Sequence, residues 1–344
     1  MVKFDGKIFL ITGATGSIGE KLVSKLLVNY SPKVIRIYSR DETKQFNLAK
    51  KLVKYEDKLR FFIGDIRDKE RLNRAMESVD IVIHLAALKH VSACEFNPFE
   101  AIKTNVIGTQ NLIECSIEHD VELFVNISSD KAATPCNTMG VTKLLGEKLV
   151  TTANYYKGAH PTIFYSIRLG NVLGSRGSII PLISSLIKNN KPITLTHRDM
   201  TRYVMHIDDV VNLIFSTISI AQGGEVFLSK MNAIKVFELI DVLIEILAPK
   251  YQKDVDKIEI KEIGVFSGEK LYEELFSIEE AERTYEMDHI YVIIPQLVDI
   301  TRKIDLNKYP NIKQFDLNKP FISKDGPFLS KAELKEYLIK HNII

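Results

Sequence analysis

The stretch Ile8-Phe9-Leu10-Ile11-Thr12-Gly13-Ala14-Thr15-Gly16-Ser17-Ile18-Gly19 passes from an apolar run through three glycines into a helical pattern that continues to about Val28. A buried strand that turns at once into a helix is the opening unit of a βαβ fold. The glycines have separate tasks: one makes the tight turn, one lets the backbone approach a pyrophosphate, and one packs the helix. Gly13, Gly16 and Gly19, with Thr15, Ser17 and Ile18 between them, are therefore expected to hold the phosphates of a dinucleotide on backbone N–H groups.

Similar apolar runs recur at Val34 to Tyr38, Leu59 to Ile63, Ile81 to Leu85 and Leu123 to Ile127, separated by stretches of helical periodicity. Their sum is an α/β fold, a Rossmann-like doubly wound parallel sheet with helices on both faces. A further strand, Thr162 to Leu169, ends at Gly170-Asn171, and the Gly- and Pro-punctuated segment to about Thr201 reads as a different organisation. Val204 to Ile218 and Glu225 to Leu228 then look again like helix and strand. The expected division is a cofactor-binding domain over residues 1–170 that also takes back about 203–230. A smaller interleaved α/β substrate-binding portion covers 171–202 and 231–300, and a C-terminal extension of unknown role covers 301–344.

Composition narrows the function. In 344 residues, 46 Lys+Arg stand against 44 Asp+Glu, a formal net charge of +2. That balance argues against a general binder of nucleic acid or of acidic membranes. No segment reaches the length of a membrane span and no signal-type apolar stretch follows Met1, so the expected compartment is the cytoplasm. Cys94, Cys115 and Cys136 are odd in number and lack metal-ligand spacing, which suits a reducing compartment and predicts no metal centre.

The end of the second strand selects the dinucleotide, because an acidic residue there binds a ribose 2′-hydroxyl and repels a 2′-phosphate. Here it carries Ser39 and Arg40, with Lys44 a turn later, so NADP is favoured; Asp41 keeps NAD open. The GxxGxxG spacing resembles that of the extended short-chain dehydrogenase/reductase superfamily. That resemblance implies an adenine-contacting turn at Gly64-Asp65-Ile66-Arg67 and a cofactor wall at His84-Leu85-Ala86-Ala87.

The strand Leu123 to Ile127 is followed by Ser128, Ser129 and the pair Asp130-Lys131, at the strand end where open α/β sheets bind ligands. The superfamily's redox site places a Tyr four residues before a Lys on one helix face. Lys143 supplies the second half, but Met139 stands at the tyrosine position, and a thioether has no proton to exchange. Ser129 occupies the superfamily's Ser/Thr position.

Ser128-Ser129-Asp130-Lys131-Ala132-Ala133-Thr134-Pro135, followed by Met139-Gly140-Val141-Thr142-Lys143, closely resembles the UDP-N-acetylglucosamine 4,6-dehydratases of capsule, O-antigen and glycoprotein-sugar pathways, in particular the branch with methionine in place of tyrosine. Further matches are Ser39-Arg40-Asp41-Glu42, Ala86-Ala87-Leu88-Lys89-His90-Val91, Lys103-Thr104-Asn105, Arg168-Leu169-Gly170-Asn171-Val172, Asp199-Met200-Thr201-Arg202 and Gly268-Glu269-Lys270-Leu271. The resemblance covers about residues 5 to 280. It implies that Asp130, with a raised pKa, protonates the leaving C6 hydroxyl, while Lys131, as a neutral amine, takes the C5 proton. Burial is expected to favour both shifts, with nearby cations adding to that of Lys131.

The resemblance further implies that Lys143 binds the nicotinamide ribose, and that Ala86, Ala87, Lys89 and Asn105 line the cofactor. Lys89 and His90 would approach the sugar, Asn171 and Arg202 the pyrophosphate or ribose, and Ser178, Ile180 and Pro181 the uracil. An arginine common in the family shortly before Gly-Glu-Lys is missing from Gly264-Val265-Phe266-Ser267, and Lys270 or Arg202 would have to compensate. The implied substrate is UDP-N-acetylglucosamine and the implied assembly a homo-oligomer. Inversion at C5 is the expected course, with retention left open. A UDP-sugar 4-epimerase or reductase and an inactive NADP-binding sensor are the competing readings.

Overall fold

A computed structural model describes residues 4–296 and 304–344. Its first six strands are β1 (Ile8–Thr12), β2 (Val34–Ser39), β3 (Leu59–Ile63), β4 (Ile81–His84), β5 (Leu123–Ser129) and β6 (Ile163–Leu169). Then come β7 (Asn171–Val172), β8 (Ile193–Leu195), β9 (Thr201–Met205), β10 (Val226–Ser229), β11 (Asn232–Lys235) and β12 (Ile260–Glu262). The last are β13 (Thr284–Glu286), β14 (Ile290–Ile293) and β15 (Lys313–Gln314).

The main sheet has the order β15-β13-β14-β10-β6-β5-β4-β1-β2-β3. From β10 to β3 it is parallel; β14, β13 and β15 add antiparallel strands at the other side. The order reverses between β1 and β4, which opens a crevice at the carboxyl ends of those strands. The central strands β4 and β5 are near-continuous apolar runs because helices cover both of their faces. Asp41 and Asp68 start the helices Glu42–Lys51 and Lys69–Met76 by accepting from the backbone N–H of Lys44 and Arg71.

The expected strands at 34–38, 59–63, 81–85 and 123–127 are present within two residues of their bounds. One expectation is corrected. Val204 and Met205 do not begin a helix but end β9; the helix starts at Ile207, where His206 and Asp209 form a reciprocal capping box.

A smaller layer interleaves with the sheet. Strands β11, β9 and β7 form one small sheet and β12 pairs with β8 in another. With the helices Ile179–Lys188 and Val236–Lys250 they enclose a second apolar cluster that includes Leu173, Ile183, Ile240 and Leu243. Between these pieces the chain returns to the main sheet: helix Ile207–Ile218 packs on helix Ser17–Asn29, and β10 lies beside β6. The C-terminal segment is built into both layers. Tyr309 donates to the buried carboxylate of Glu225 at 2.6 Å, and Leu334 and Leu338 of the helix Lys331–Lys340 complete the second cluster. The boundary expected at about residue 300 lies outside the described residues. No helix among the described residues is long and apolar enough to cross a membrane.

One buried ion cluster ties the sheet to its surroundings. Arg168 on β6 is 1% exposed. It donates to both carboxylate oxygens of Glu147, at 2.9 and 2.7 Å, and to both of Glu280, at 2.7 and 2.9 Å. Removing one partner of such a cluster leaves uncompensated buried charge. Arg168→Ala is therefore expected to destabilise the fold by about 3–5 kcal/mol, read as a lower midpoint in urea unfolding. An unchanged midpoint would show the cluster to be energetically neutral.

Candidate active site

The phosphate turn is shaped by lack of room. Gly13 has φ of +68°, and a Cβ on it would lie 2.7 Å from the backbone nitrogen of Ala86. A Cβ on Gly19 would lie 2.4 Å from the Cα of Ala14. The following helix, Ser17–Asn29, is preceded by Gly16 and has no side-chain cap, so the N–H groups of its first turn are left for a ligand. Glycine cradle and uncapped helix together fit a dinucleotide pyrophosphate. Ala86 and Ala87 follow β4 opposite this turn, with Ala86 N–H 3.3 Å from the Thr12 hydroxyl.

The end of β2 is organised around Ser39, whose hydroxyl lies 3.0 Å from that of Thr15. Arg40 is exposed, 3.6 Å from Asp65. Asp41 is spent on capping its own helix and on Lys44, at 2.9 Å to the backbone N–H and 2.8 Å to Nζ. Asp65 is held by the Arg67 guanidinium at 2.7 and 3.0 Å; burial opposes ionisation there, but the Arg67 hydrogen bonds keep the carboxyl below its ordinary range. Ile66 beside it is buried against the core.

Arg176, not anticipated from the sequence, bridges the two layers. Its guanidinium donates to Thr15 O at 2.5 Å and its backbone N–H donates to the Ser17 hydroxyl at 3.0 Å. Lys89 in turn donates to Arg176 O at 2.9 Å, and His90 borders Gly177. A pocket of about 390 Å³ lies here, lined by Thr15, Glu20, Lys44, Lys51 and Arg176 among others.

Strand β5 continues through Ser128 and Ser129, and Asp130–Ala132 forms a 3₁₀ turn directly after it. Ser129 Oγ donates to Asp130 Oδ1 at 2.9 Å. Lys131 Nζ lies 3.0 Å from Asp130 Oδ1, 3.1 Å from Glu273 Oε1 and 3.4 Å from Asn171 Oδ1. Strand end, smaller layer and the segment after Gly268 thus meet at one amine. The Asp130 side chain is 1% exposed, and its Oδ2, like Ser128 Oγ, is buried without a hydrogen-bond partner in the protein. Buried polar atoms left open at a strand end are what a polar ligand satisfies.

The expectation of a depressed Lys131 pKa is corrected. Burial works to lower it and Arg202 adds to that, but Asp130 and Glu273 outweigh both, so the pKa is raised and the free protein holds an ammonium. Glu273 is shifted the other way. Burial, with the nearby Asp130 charge, pushes its carboxyl up.

Lys143 donates to Ile127 O at 2.7 Å, and burial pushes its pKa down to about 8. Met139 is 3% exposed and packs with Cys94, Ala101, Leu88 and Val91, an apolar filler at the tyrosine position. Asn105 sits in a π-helical turn, Lys103–Ile107. Its amide is spent on both backbone groups of Leu88 and on Thr142, so it supports the loop after β4. His84 is likewise satisfied, between the Thr12 and Thr109 hydroxyls, and burial keeps it neutral with a pKa of about 3.

The remaining expected contacts divide. Ser178 starts the helix Ile179–Lys188 with a buried, unpartnered hydroxyl, and Pro181 is exposed. Ile180 is corrected: it faces the second apolar cluster, not an open slot. Arg202 donates to the carbonyls of Thr201, Leu271 and Lys270, so much of its hydrogen-bonding capacity is already used. Lys270 donates to the Thr134 hydroxyl at 2.5 Å. Among the described residues no group of His, Cys, Asp and Glu side chains has the arrangement of a metal site.

The model of the family described as "Polysaccharide biosynthesis protein" matches residues 9–295. An uncharacterized membrane protein of Methanocaldococcus jannaschii is 49% identical over 97% of this chain and 96% of its own length. A UDP-N-acetylglucosamine 4,6-dehydratase (inverting) of Campylobacter jejuni is 41% identical over 88% of this chain and 87% of its own. A UDP-glucose 4-epimerase of Rickettsia canadensis is 36% identical over 99% and 98%. Among solved structures, Pen from Bacillus thuringiensis superposes with a TM-score of 0.91 at 39% identity, with both chains fully covered.

The cradle geometry yields a direct test. Gly13→Ala forces a Cβ into the Ala86 backbone and a left-handed conformation on alanine, so dinucleotide binding by calorimetry is expected to weaken at least 10-fold. Wild-type affinity in that variant would remove Gly13 from the cofactor site.

Proposed function

The chain belongs to the polysaccharide-biosynthesis family that includes the UDP-N-acetylglucosamine 4,6-dehydratases, and from that premise we propose that it dehydrates UDP-N-acetylglucosamine. The product would be a UDP-2-acetamido-2,6-dideoxy-hexos-4-ulose. The observation that carries this reading is the juxtaposition of Asp130 and Lys131, 3.0 Å apart, at the carboxyl end of β5. Elimination across C5 and C6 needs a base at one carbon and an acid at the oxygen on the next. Epimerisation at C4 needs neither. The dehydratase identity of the Campylobacter relative supports the same choice, and inversion at C5 follows that relative.

A nicotinamide held by the glycine cradle would supply the acceptor for the C4 hydride and its donor to C6; the C4 hydroxyl gives its proton to the end of β5, where Ser129, Asp130 and Lys131 lie, and C5 takes a proton back as the hydride reaches C6. Once C4 is a ketone, the C5 proton is acidified. Lys131 in its neutral form takes that proton, and the C5–H electron pair becomes the C5–C6 double bond. The C6–O6 bond breaks as Asp130 in its acid form gives its proton to O6, which leaves as water. Lys131 is an ammonium in the free protein, and a move of that proton over 3.0 Å to Asp130 would supply neutral amine and acid together. Met139 takes no part, being an apolar filler without an exchangeable proton.

NADP is the favoured cofactor. Asp41, the residue that argued for NAD, is committed to its helix cap and to Lys44, whereas Arg40 stands exposed beside Ser39. Three free thiols fit a reducing cytoplasm. A homo-oligomer is supported by exposed apolar residues on mutually packed helices: Phe96 (87% exposed), Phe99 and Ile102, with Val141 and Leu145 on the helix Thr138–Tyr156. Light scattering of Leu145→Asp is expected to show a smaller assembly than wild type; an unchanged mass would move the interface elsewhere.

Proton NMR of the enzyme with UDP-N-acetylglucosamine is expected to show a new C6 methyl signal. A product with an intact C6 hydroxymethyl group and an inverted C4 would instead establish the 4-epimerase, the reading favoured by the Rickettsia relative. In deuterated water, Lys131→Ala is expected to lose C5 exchange by a factor of about 10²–10⁴.

A further inference from the structure

Glu273 lies far from Asp130 and Lys131 in sequence, yet its carboxylate is 3% exposed and 3.1 Å from Lys131 Nζ. The charged groups around it are Lys131 and Asp130 from the end of β5 and Arg202 from β9, whose Nε is 3.7 Å away. Arg202 is also 3.8 Å from Glu269. Lys131 is thus gripped by two carboxylates, of which the reaction described above employs only Asp130. Backbone contacts place the second one: Glu273 N–H donates to the Ser323 hydroxyl at 3.0 Å, and Ser323 N–H donates to Glu273 O at 2.9 Å. A buried carboxylate held in this way, beside an amine, has a desolvation cost that its surroundings must offset, and such groups cluster at functional sites.

We propose that Glu273 is a positioning residue: it fixes Lys131 Nζ in place and balances the ammonium that forms when Lys131 takes the C5 proton, so that Asp130 can hold and release its own proton. This rests on the reading of Lys131 as the C5 base. Before the step, Asp130 carries a proton and Lys131 is neutral; that proton removes the Asp130 charge that helps push the Glu273 carboxyl up, and Glu273 is ionised. The C5–H bond breaks, an N–H bond forms on Lys131, and the electron pair moves into the C5–C6 bond as the C6–O6 bond breaks. The Asp130 proton leaves with O6 as water. Lys131 is then charged beside the carboxylates of Asp130 and Glu273, so Glu273 stabilises the end of the step as well as the geometry of its start.

The test compares Glu273→Gln and Glu273→Asp with wild type in three assays on the cofactor-loaded enzyme with UDP-N-acetylglucosamine. These are absorbance of reduced nicotinamide for C4 oxidation, deuterium exchange at C5, and the pH dependence of that exchange. Because Glu273 raises the Lys131 pKa, its neutralisation lets the amine appear at lower pH. Glu273→Gln is expected to keep C4 oxidation, to lose C5 exchange roughly 100-fold, and to move the rising limb of the pH profile about one unit or more toward acid. Glu273→Asp, which keeps the charge, is expected to recover part of the rate and the wild-type limb. A limb that stays in place in Glu273→Gln, or exchange at the wild-type rate, overturns the proposal. If Lys131→Ala still exchanges C5 at the wild-type rate, the base assignment itself fails and the positioning role fails with it. Exchange lost in Lys131→Ala with an unmoved limb in Glu273→Gln defeats only the role of Glu273.

Discussion

The structure around the site depends on one amine, Lys131, held between Asp130 and Glu273. Asp130 and Lys131 come from the end of β5, in the centre of a parallel sheet, while Glu273 comes from a segment that docks on the smaller layer. Asn171, at the first residue of β7, adds a third contact. The amine is therefore where two layers are joined. Interior charges are stable only when paired and hydrogen-bonded, so the contacts proposed to prepare the chemistry also hold the layers in register.

The cofactor turn and the amine are related through the sheet. Strand β4 lies between β1 and β5, so the glycine turn and the Asp130-Lys131 pair open on the same edge of the sheet, at the carboxyl ends of strands one apart. Lys143 reaches back to Ile127 O on β5, which brings a cation of depressed pKa beneath that edge. Arg176 crosses from the smaller layer to the cradle and contacts Thr15 and Ser17. The ligand crevice is thereby bounded on one side by backbone N–H groups and on the other by side chains from a different layer.

Much of this was legible in the sequence, because the decisive signals are local. The strand, glycine turn and helix of residues 8–28 are read from periodicity and from positions that admit no Cβ, and Asp130-Lys131 is read from its place at a strand end. What was not legible is set by distance along the chain. Glu273 lies in a run, Glu269 to Glu274, where any of three carboxylates could have been the one turned inward, and only the fold selects it. The raised pKa of Lys131 was missed for the same reason, since the second carboxylate comes from that run. Arg202 looked like a phosphate ligand, but backbone carbonyls of 270–271 take much of its capacity. Val204-Met205 read as helix because an apolar strand runs with a single-residue break into an amphipathic helix, and the boundary is visible only through the His206 cap.

The central claim is that hydride leaves C4 and returns to C6 of the same sugar while Asp130 and Lys131 eliminate water between C5 and C6. The most direct measurement uses UDP-N-acetylglucosamine carrying deuterium at C4 and locates the label in the product by NMR and mass spectrometry. The account predicts a single deuterium in the C6 methyl group. A label that remains on C4, with an intact C6 hydroxymethyl group, would contradict it.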